Sequence, residues 1–260
     1  MADGILLEGV TFRYQSLLVL ESISLAVRRG EFVALVGPSG CGKTTVLDLL
    51  SGLIPAQQGT IQVGGKPPLA GRPDTARMFA RDALLPWRTA EANVDFAAAT
   101  RQRDRARRAA LIASLLRDVG LEGFERTYPR QLSQGMRQRV ALARTFSLES
   151  EYVFLDEPFG ALDAQTKLTL QDRLLTLCER FHKTVVLVTH DLAEAVALSD
   201  RVIVMSARPG RITADVRIDL PRPRSASRLQ GDRAFHELYA QLWRELERAA
   251  QPQSNAGASA

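Results

Sequence analysis

Residues 37–44 read Gly37-Pro38-Ser39-Gly40-Cys41-Gly42-Lys43-Thr44, which sets two glycines, a lysine and a hydroxyl residue at the spacing G-x-x-x-x-G-K-[ST]. That pattern is chemistry for phosphate. The glycines let the backbone wrap around an anion with several N–H groups pointing inward, and a helix opening at the end of the loop adds the positive pole of its dipole. Lys43 is expected to reach the β- and γ-phosphates, Thr44 to place its hydroxyl on Mg²⁺, and Thr45 to add a phosphate contact.

A second constellation follows the apolar run Tyr152 to Leu155, which ends in Asp156-Glu157. A strand here delivers both carboxylates to its C-terminal end, where α/β proteins place ligands. Asp156 suits Mg²⁺, directly or through water. Glu157 suits the orientation and deprotonation of an attacking water. Acidic residues are also favoured at helix N-termini, so the pair alone is ambiguous; the phosphate loop upstream favours the chemical reading. His190 follows another apolar run, Val185 to Val188, and is one of three histidines. A neutral imidazole there can donate to a γ-phosphate and position the water, whereas a lone histidine would more often be a structural cap.

The elements that must hold these residues follow from the hydrophobic pattern. Ile5 to Tyr14 and Leu18 to Val27 alternate apolar and polar residues and read as antiparallel strands. Phe32 to Val36 is a continuous apolar run of the buried parallel-strand type, with a helix from about Gly42. Residues 56–75 are rich in Gly and Pro and read as turns and short strands. The stretch from 79 to about 135 reads as an inserted helical subdomain, with Ala109, Leu111, Ile112, Leu115 and Leu116 on one apolar face of a helix over Arg101 to Val119. Strands at Tyr152–Leu155, Thr184–Thr189 and Arg201–Met205 then alternate with helices at Lys167–Phe181 and Asp191–Leu198. Such alternation implies a mostly parallel sheet with right-handed crossovers. A basic, Pro-containing segment and a helix over Asp232 to Ala249 occupy residues 221–249, and 250–260 read as a disordered tail.

Composition bounds the class. The 260 residues are enough for one α/β domain with a small inserted subdomain. No apolar run approaches the ~20 residues of a spanning helix, and the first residues lack a secretory pattern. The chain is expected to be cytoplasmic, with any membrane role exerted through a partner. Two cysteines, Cys41 and Cys178, are too few for a disulfide framework and are expected to be reduced. The formal charge of +5 leaves nucleic acid or anionic lipid open as partners, although a solvated basic surface is the better account of it.

Leu132-Ser133-Gln134-Gly135-Met136 opens a helix that continues through Arg137-Gln138-Arg139-Val140-Ala141-Leu142-Ala143-Arg144. This resembles the signature of ABC ATPases, usually LSGGQ followed by a basic-apolar helix. With the phosphate loop, Leu155-Asp156-Glu157, Ala161-Leu162-Asp163 and His190 in the family's order, the resemblance covers about residues 4 to 220. It implies an α/β fold of the P-loop NTPase, ABC ATPase type: a mostly parallel sheet core, an N-terminal antiparallel β-subdomain and an inserted helical subdomain. It also implies that Ser133, Gln134 and Gly135, at a helix N-terminus suited to anions, cap the γ-phosphate held by the phosphate loop of a second copy. Asp163 would lie at that seam. Tyr14 matches the family's adenine-stacking aromatic, with a core strand aromatic as the alternative.

Ala83-Leu84-Leu85-Pro86-Trp87, Glu157-Pro158-Phe159-Gly160 and Arg208-Pro209-Gly210-Arg211-Ile212 resemble the importer branch for nitrate, sulfonate and taurine, which is similar to importers of vitamin precursors. The resemblance implies ATP and Mg²⁺ as cofactors and a peripheral place on the cytoplasmic face of the membrane. It implies a second ATPase subunit, permease subunits and, indirectly, a solute-binding protein as partners, with no nucleic acid. Leu85, Pro86 and Trp87 fall where the family meets its permease, although Trp87 could equally pack inside the subdomain. Two departures matter, and in the first the family has a glutamine, contacting Mg²⁺ and the attacking water, where this chain has Ala80. Gln134 and Met136 also replace the usual glycine and glutamine. Two other classes are weighed against this reading. A soluble ABC ATPase acting on nucleic acid would draw on the basic Arg101 to Arg108 cluster, and a degenerate nucleotide-binding regulator would draw on Ala80.

Overall fold

A computed structural model describes residues 4–160 and 162–250. Two sheets form the frame. Strands β1 (Ile5–Tyr14), β2 (Leu17–Val27) and β4 (Gln58–Val63) make an antiparallel sheet in the order β2-β1-β4. The second sheet has six strands in the order β5-β6-β7-β3-β8-β9. Its members are β3 (Phe32–Val36), β5 (Thr75–Met78), β6 (Tyr152–Asp156), β7 (Thr184–Val188), β8 (Arg201–Met205) and β9 (Ile212–Arg217). All its pairings are parallel except β8 with β9.

Strands β3, β6 and β7 are buried along their whole length, as a continuous apolar run requires when both sheet faces are covered. Alternation along β3 shows the two layers. Phe32, Ala34 and Val36 enter one core, whereas Val33 and Leu35 enter the other. The first core lies against most of the helices. The second lies between the sheet, the antiparallel β-subdomain and α1 (Lys43–Leu50).

Between β5 and β6 come α2 (Ala90–Ala98), α3 (Arg105–Asp118) and α4 (Gln134–Phe146). Helix α3 begins later than its sequence pattern suggests, because Asp104 accepts from the Ala106 and Arg107 N–H groups and caps it there. Its buried stripe is Ile112, Leu115 and Leu116; Ala109 is exposed, so that part of the expected apolar face is corrected. After β6 come α5 (Ala164–Arg180), α6 (Leu192–Leu198), α7 (Ala226–Leu229) and α8 (Arg233–Ala250). Helix α8 buries Phe235 and Leu242, packs Leu238 and Leu246 against the same core, and extends through Ala250. The rest of the expected tail, 251–260, lies outside the described residues. Both cysteines are free thiols, and burial pushes that of Cys178 up to about 12. No helix among the described residues is long and apolar enough to cross a membrane.

One buried polar residue organises the loop before α2. Asn93 is fully buried and accepts from the Leu85 N–H at 2.8 Å while donating to the carbonyls of Leu85, Arg88 and Thr89. Asn93→Ala removes the acceptor of the Leu85 N–H and one donor to each of the three carbonyls, and should lower unfolding stability by about 2 kcal/mol or more. A denaturant midpoint equal to that of the parent chain would contradict this role.

Candidate nucleotide site

The strand order explains how residues far apart in sequence meet. Strands β6, β7 and β3 are neighbours and run parallel, so their C-terminal ends share one edge of the sheet. Residues 37–42 leave β3, Asp156 ends β6 with Glu157 next after it, and His190 follows β7. Ligands of open α/β sheets bind at such an edge.

The loop is shaped for an anion. Gly42 has φ +104°, a conformation that side-chain-bearing residues rarely adopt. A Cβ there would also lie 2.6 Å from Leu20. Lys43 is folded back over the loop, donating from Nζ to the Gly37 carbonyl at 2.8 Å and the Pro38 carbonyl at 3.0 Å. Cys41 is fully buried, its Sγ 3.7 Å from that Nζ. A further clamp comes from the β8–β9 turn. Gly210 exchanges backbone bonds with Val19 and Glu21, and its close approach leaves no room for a Cβ against the Cys41 carbonyl oxygen.

Thr44 Oγ1 lies 3.3 Å from Asp156 Oδ1. A hydroxyl and a carboxylate converging at the foot of a phosphate loop make a hard-oxygen donor pair whose chemistry fits Mg²⁺. Burial pushes the Asp156 carboxyl up, opposed by the Arg77 guanidinium and the Thr44 hydroxyl.

Glu157 stands beside this pair with φ +46°, outside the usual range for a residue with a Cβ. Such strain costs on the order of 1–3 kcal/mol and persists where the surroundings enforce it. Here the Glu157 N–H donates to the Val188 carbonyl at 2.9 Å, and Gln138 Nε2 donates to the Glu157 carbonyl at 2.8 Å. The turn aims the side chain at His190, whose Nδ1 is 3.2 Å from Glu157 Oε1. A carboxylate and an imidazole thus meet at the mouth of the phosphate loop, two group types that suit general acid–base chemistry.

A cleft of about 440 Å³ joins these groups, lined by Tyr14, Gly37, Ser39, Gly40, Gly42, Lys43, Thr44, Thr45, Glu157 and His190. Pro38 and Cys41 are not among its lining residues. Tyr14 is 46% exposed at its rim and packs edge-on against Phe12, which sets aside a core position for it. Ser133, Gln134, Gly135 and Asp163 are not brought to this cleft. Ser133 caps α4 by accepting from the Met136 N–H, Asp163 caps α5 by accepting from the Thr166 N–H, and both are exposed. Gln134 instead lines a second cleft of about 250 Å³ with Ala80, Gln138, Glu157 and His190. Trp87 is 71% exposed, so it is not a subdomain core residue.

Sequence reasoning did not find Arg208, which lines the nucleotide cleft and donates to the Gly40 carbonyl at 3.3 Å. Nor did it find Gln138 or Arg77, whose contacts reach across the fold.

The chain is similar to known proteins in sequence and in fold. The family model described as ABC transporter matches residues 20–160. A putative ATP-binding protein of Brucella abortus (strain 2308) is 42% identical over 93% of this chain and 95% of its own length. A taurine import ATP-binding protein of Shigella flexneri is 41% identical over 78% of this chain and 80% of its own length. Among solved structures, an ATP-binding cassette described as dimeric, in a post-hydrolysis state bound to ADP and Pi, superimposes with a TM-score of 0.76 at 29% identity, over 84% of this chain and 100% of that one. The chain belongs to the ABC transporter family and is one of its ATP-hydrolysing cassettes.

Proposed function

We propose that this chain powers an importer: two copies close on two nucleotides, and permease subunits in the membrane take up the motion. The observation that carries this is a division of labour. One cleft gathers the phosphate loop, Thr44 and Glu157 with His190, with Asp156 buried behind Thr44, while Ser133 and Asp163 stand exposed outside it and Gly135 half-buried. A second copy placed head to tail supplies what each cleft lacks.

Within the site, Tyr14 stacks on adenine, and the backbone of 37–42 with Lys43, Thr44 and Thr45 holds the phosphates. Thr44 and Asp156 would hold Mg²⁺, whose charge would offset that of the phosphates. Glu157 takes the proton of the attacking water, and His190 positions that water against the γ-phosphate. From the other copy, Ser133, Gln134 and Gly135 cap the γ-phosphate, and Asp163 lies at the seam. ATP drives closure because it binds the closed pair better than the open one.

The importer reading draws on the taurine relative and on Leu85, Pro86 and Trp87. An exposed tryptophan on a loop pinned by Asn93 suits an interface anchor. The cargo is a small solute of the nitrate, sulfonate or taurine kind, or a vitamin precursor, chosen by a solute-binding protein. The chain then sits peripherally on the cytoplasmic face. Tagged chain recovered from detergent-solubilised native membranes should bring a stoichiometric multi-span protein with it. Recovery with ribosomes or nucleic acid, and no membrane protein, would overturn the importer reading.

Ala80 puts a methyl group where the family has a glutamine, and the cleft beside it has room for water. Water takes the place of that amide at some cost in rate. Ala80→Gln should raise saturated ATPase turnover about two- to tenfold, the worth of one net hydrogen bond. An unchanged rate at saturating Mg-ATP would show that the amide is not missed.

A further inference from the structure

Arg77 is a charge inside the protein, on a strand of four residues. Its side chain is 6% exposed. Nη1 pairs with Asp48 of α1 and donates to Ser51 Oγ at 3.2 Å. Nη2 lies 3.5 Å from Asp156 Oδ2. The guanidinium also covers the Phe79 ring at 4.9 Å, while Nε is buried with no acceptor. One cation is therefore shared between the helix that follows the phosphate loop and the carboxylate assigned to Mg²⁺.

The two oxygens of Asp156 are divided: Oδ1 faces Thr44 and Oδ2 faces Arg77. Arg77 thus leaves the metal side of the carboxylate open. A charge as buried as that of Asp156 is costly unless a cation or hydrogen bonds compensate it. Among the described residues, Arg77 is the one cation paired with Asp156. Asp48 in turn keeps the guanidinium in place whether or not Asp156 has other business.

We propose that Arg77 is a positioning residue for the metal, a built-in counter-ion that holds Asp156 compensated and aimed at Thr44 before Mg²⁺ and nucleotide arrive. It rests on Thr44 and Asp156 being the metal pair. Without Arg77, the bare Asp156 carboxylate opposes the nucleotide phosphates unless Mg²⁺ lies between them. Nucleotide binding then depends more heavily on the metal.

The test is the ratio of ADP dissociation constants measured by calorimetry in EDTA and in Mg²⁺. Metal binding to free ADP affects parent and variant alike, so it cancels in the comparison. Arg77→Leu should raise the ratio about three- to tenfold, as expected for losing one partly shielded charge contact. Arg77→Lys should restore part of it. Because Arg77→Leu strands Asp48, the double variant Arg77→Leu/Asp48→Leu is measured beside it and should show the same rise. A role as a strut between β5 and α1 predicts lower thermal stability with an unchanged ratio, and that result in both leucine variants overturns the proposal. Parent chain that binds no ADP in Mg²⁺ would remove the nucleotide-site reading, and this proposal with it. Parent chain that binds ADP with an unchanged variant ratio removes only the role of Arg77.

Discussion

Glu157→Gln should lower ATP turnover by about 10²- to 10⁴-fold, the range for loss of a positioned general base. The amide keeps the shape of the side chain and its place in the left-handed turn, because the Val188 and Gln138 contacts both go to the Glu157 backbone. ATP and ADP affinities should stay within a few-fold of the parent. Affinity and rate are therefore separable in this variant, and steady-state turnover with equilibrium nucleotide binding reads both. Turnover near that of the parent would take proton abstraction away from Glu157.

Lys43→Ala should act on binding instead. In the described chain Nζ is held by the Gly37 and Pro38 carbonyls. A phosphate entering the loop competes for it, and the exchange of neutral carbonyls for a charged acceptor favours the ligand. Loss of one charge-assisted contact costs about 10- to 100-fold in affinity. Titration calorimetry with ATP measures it. An affinity equal to the parent's would mean that the lysine stays folded back and that backbone N–H groups alone hold the phosphates.

The phosphate loop, the acidic pair and His190 were legible because each follows a strand that is apolar on both faces. Val33 to Val36, Tyr152 to Leu155 and Val185 to Val188 have no polar position to hide, so strand and site announce each other. Strand β9 gave no such signal. Ile212 to Arg217 lies at the sheet edge with its burial broken by exposed positions, and it pairs antiparallel with β8. Strand β5 is four residues long with a charge in the middle. The apolar stripe of α3 is narrower than the sequence suggests and excludes Ala109, because a small residue fits either face.

Supporting contacts were hidden for a different reason. Arg77 meets Asp156 across 79 positions and Gln138 meets Glu157 across 19. Nothing local marks such residues, and an arginine or glutamine in a basic chain looks like surface. The signature residues present the opposite case. Their resemblance named a role that a single chain does not display, since Ser133 and Asp163 serve as helix caps here and face solvent.

The mass of the Glu157→Gln chain in solution tests that point most directly. With slow hydrolysis, ATP should hold two copies together, because each phosphate loop then meets the Ser133–Gly135 segment of the other. Light scattering should give twice the monomer mass in Mg-ATP and the monomer mass in Mg-ADP, with Ser133→Arg abolishing the difference. Equal masses in ATP and ADP, at concentrations where both nucleotides are bound, would contradict a site completed by a second copy.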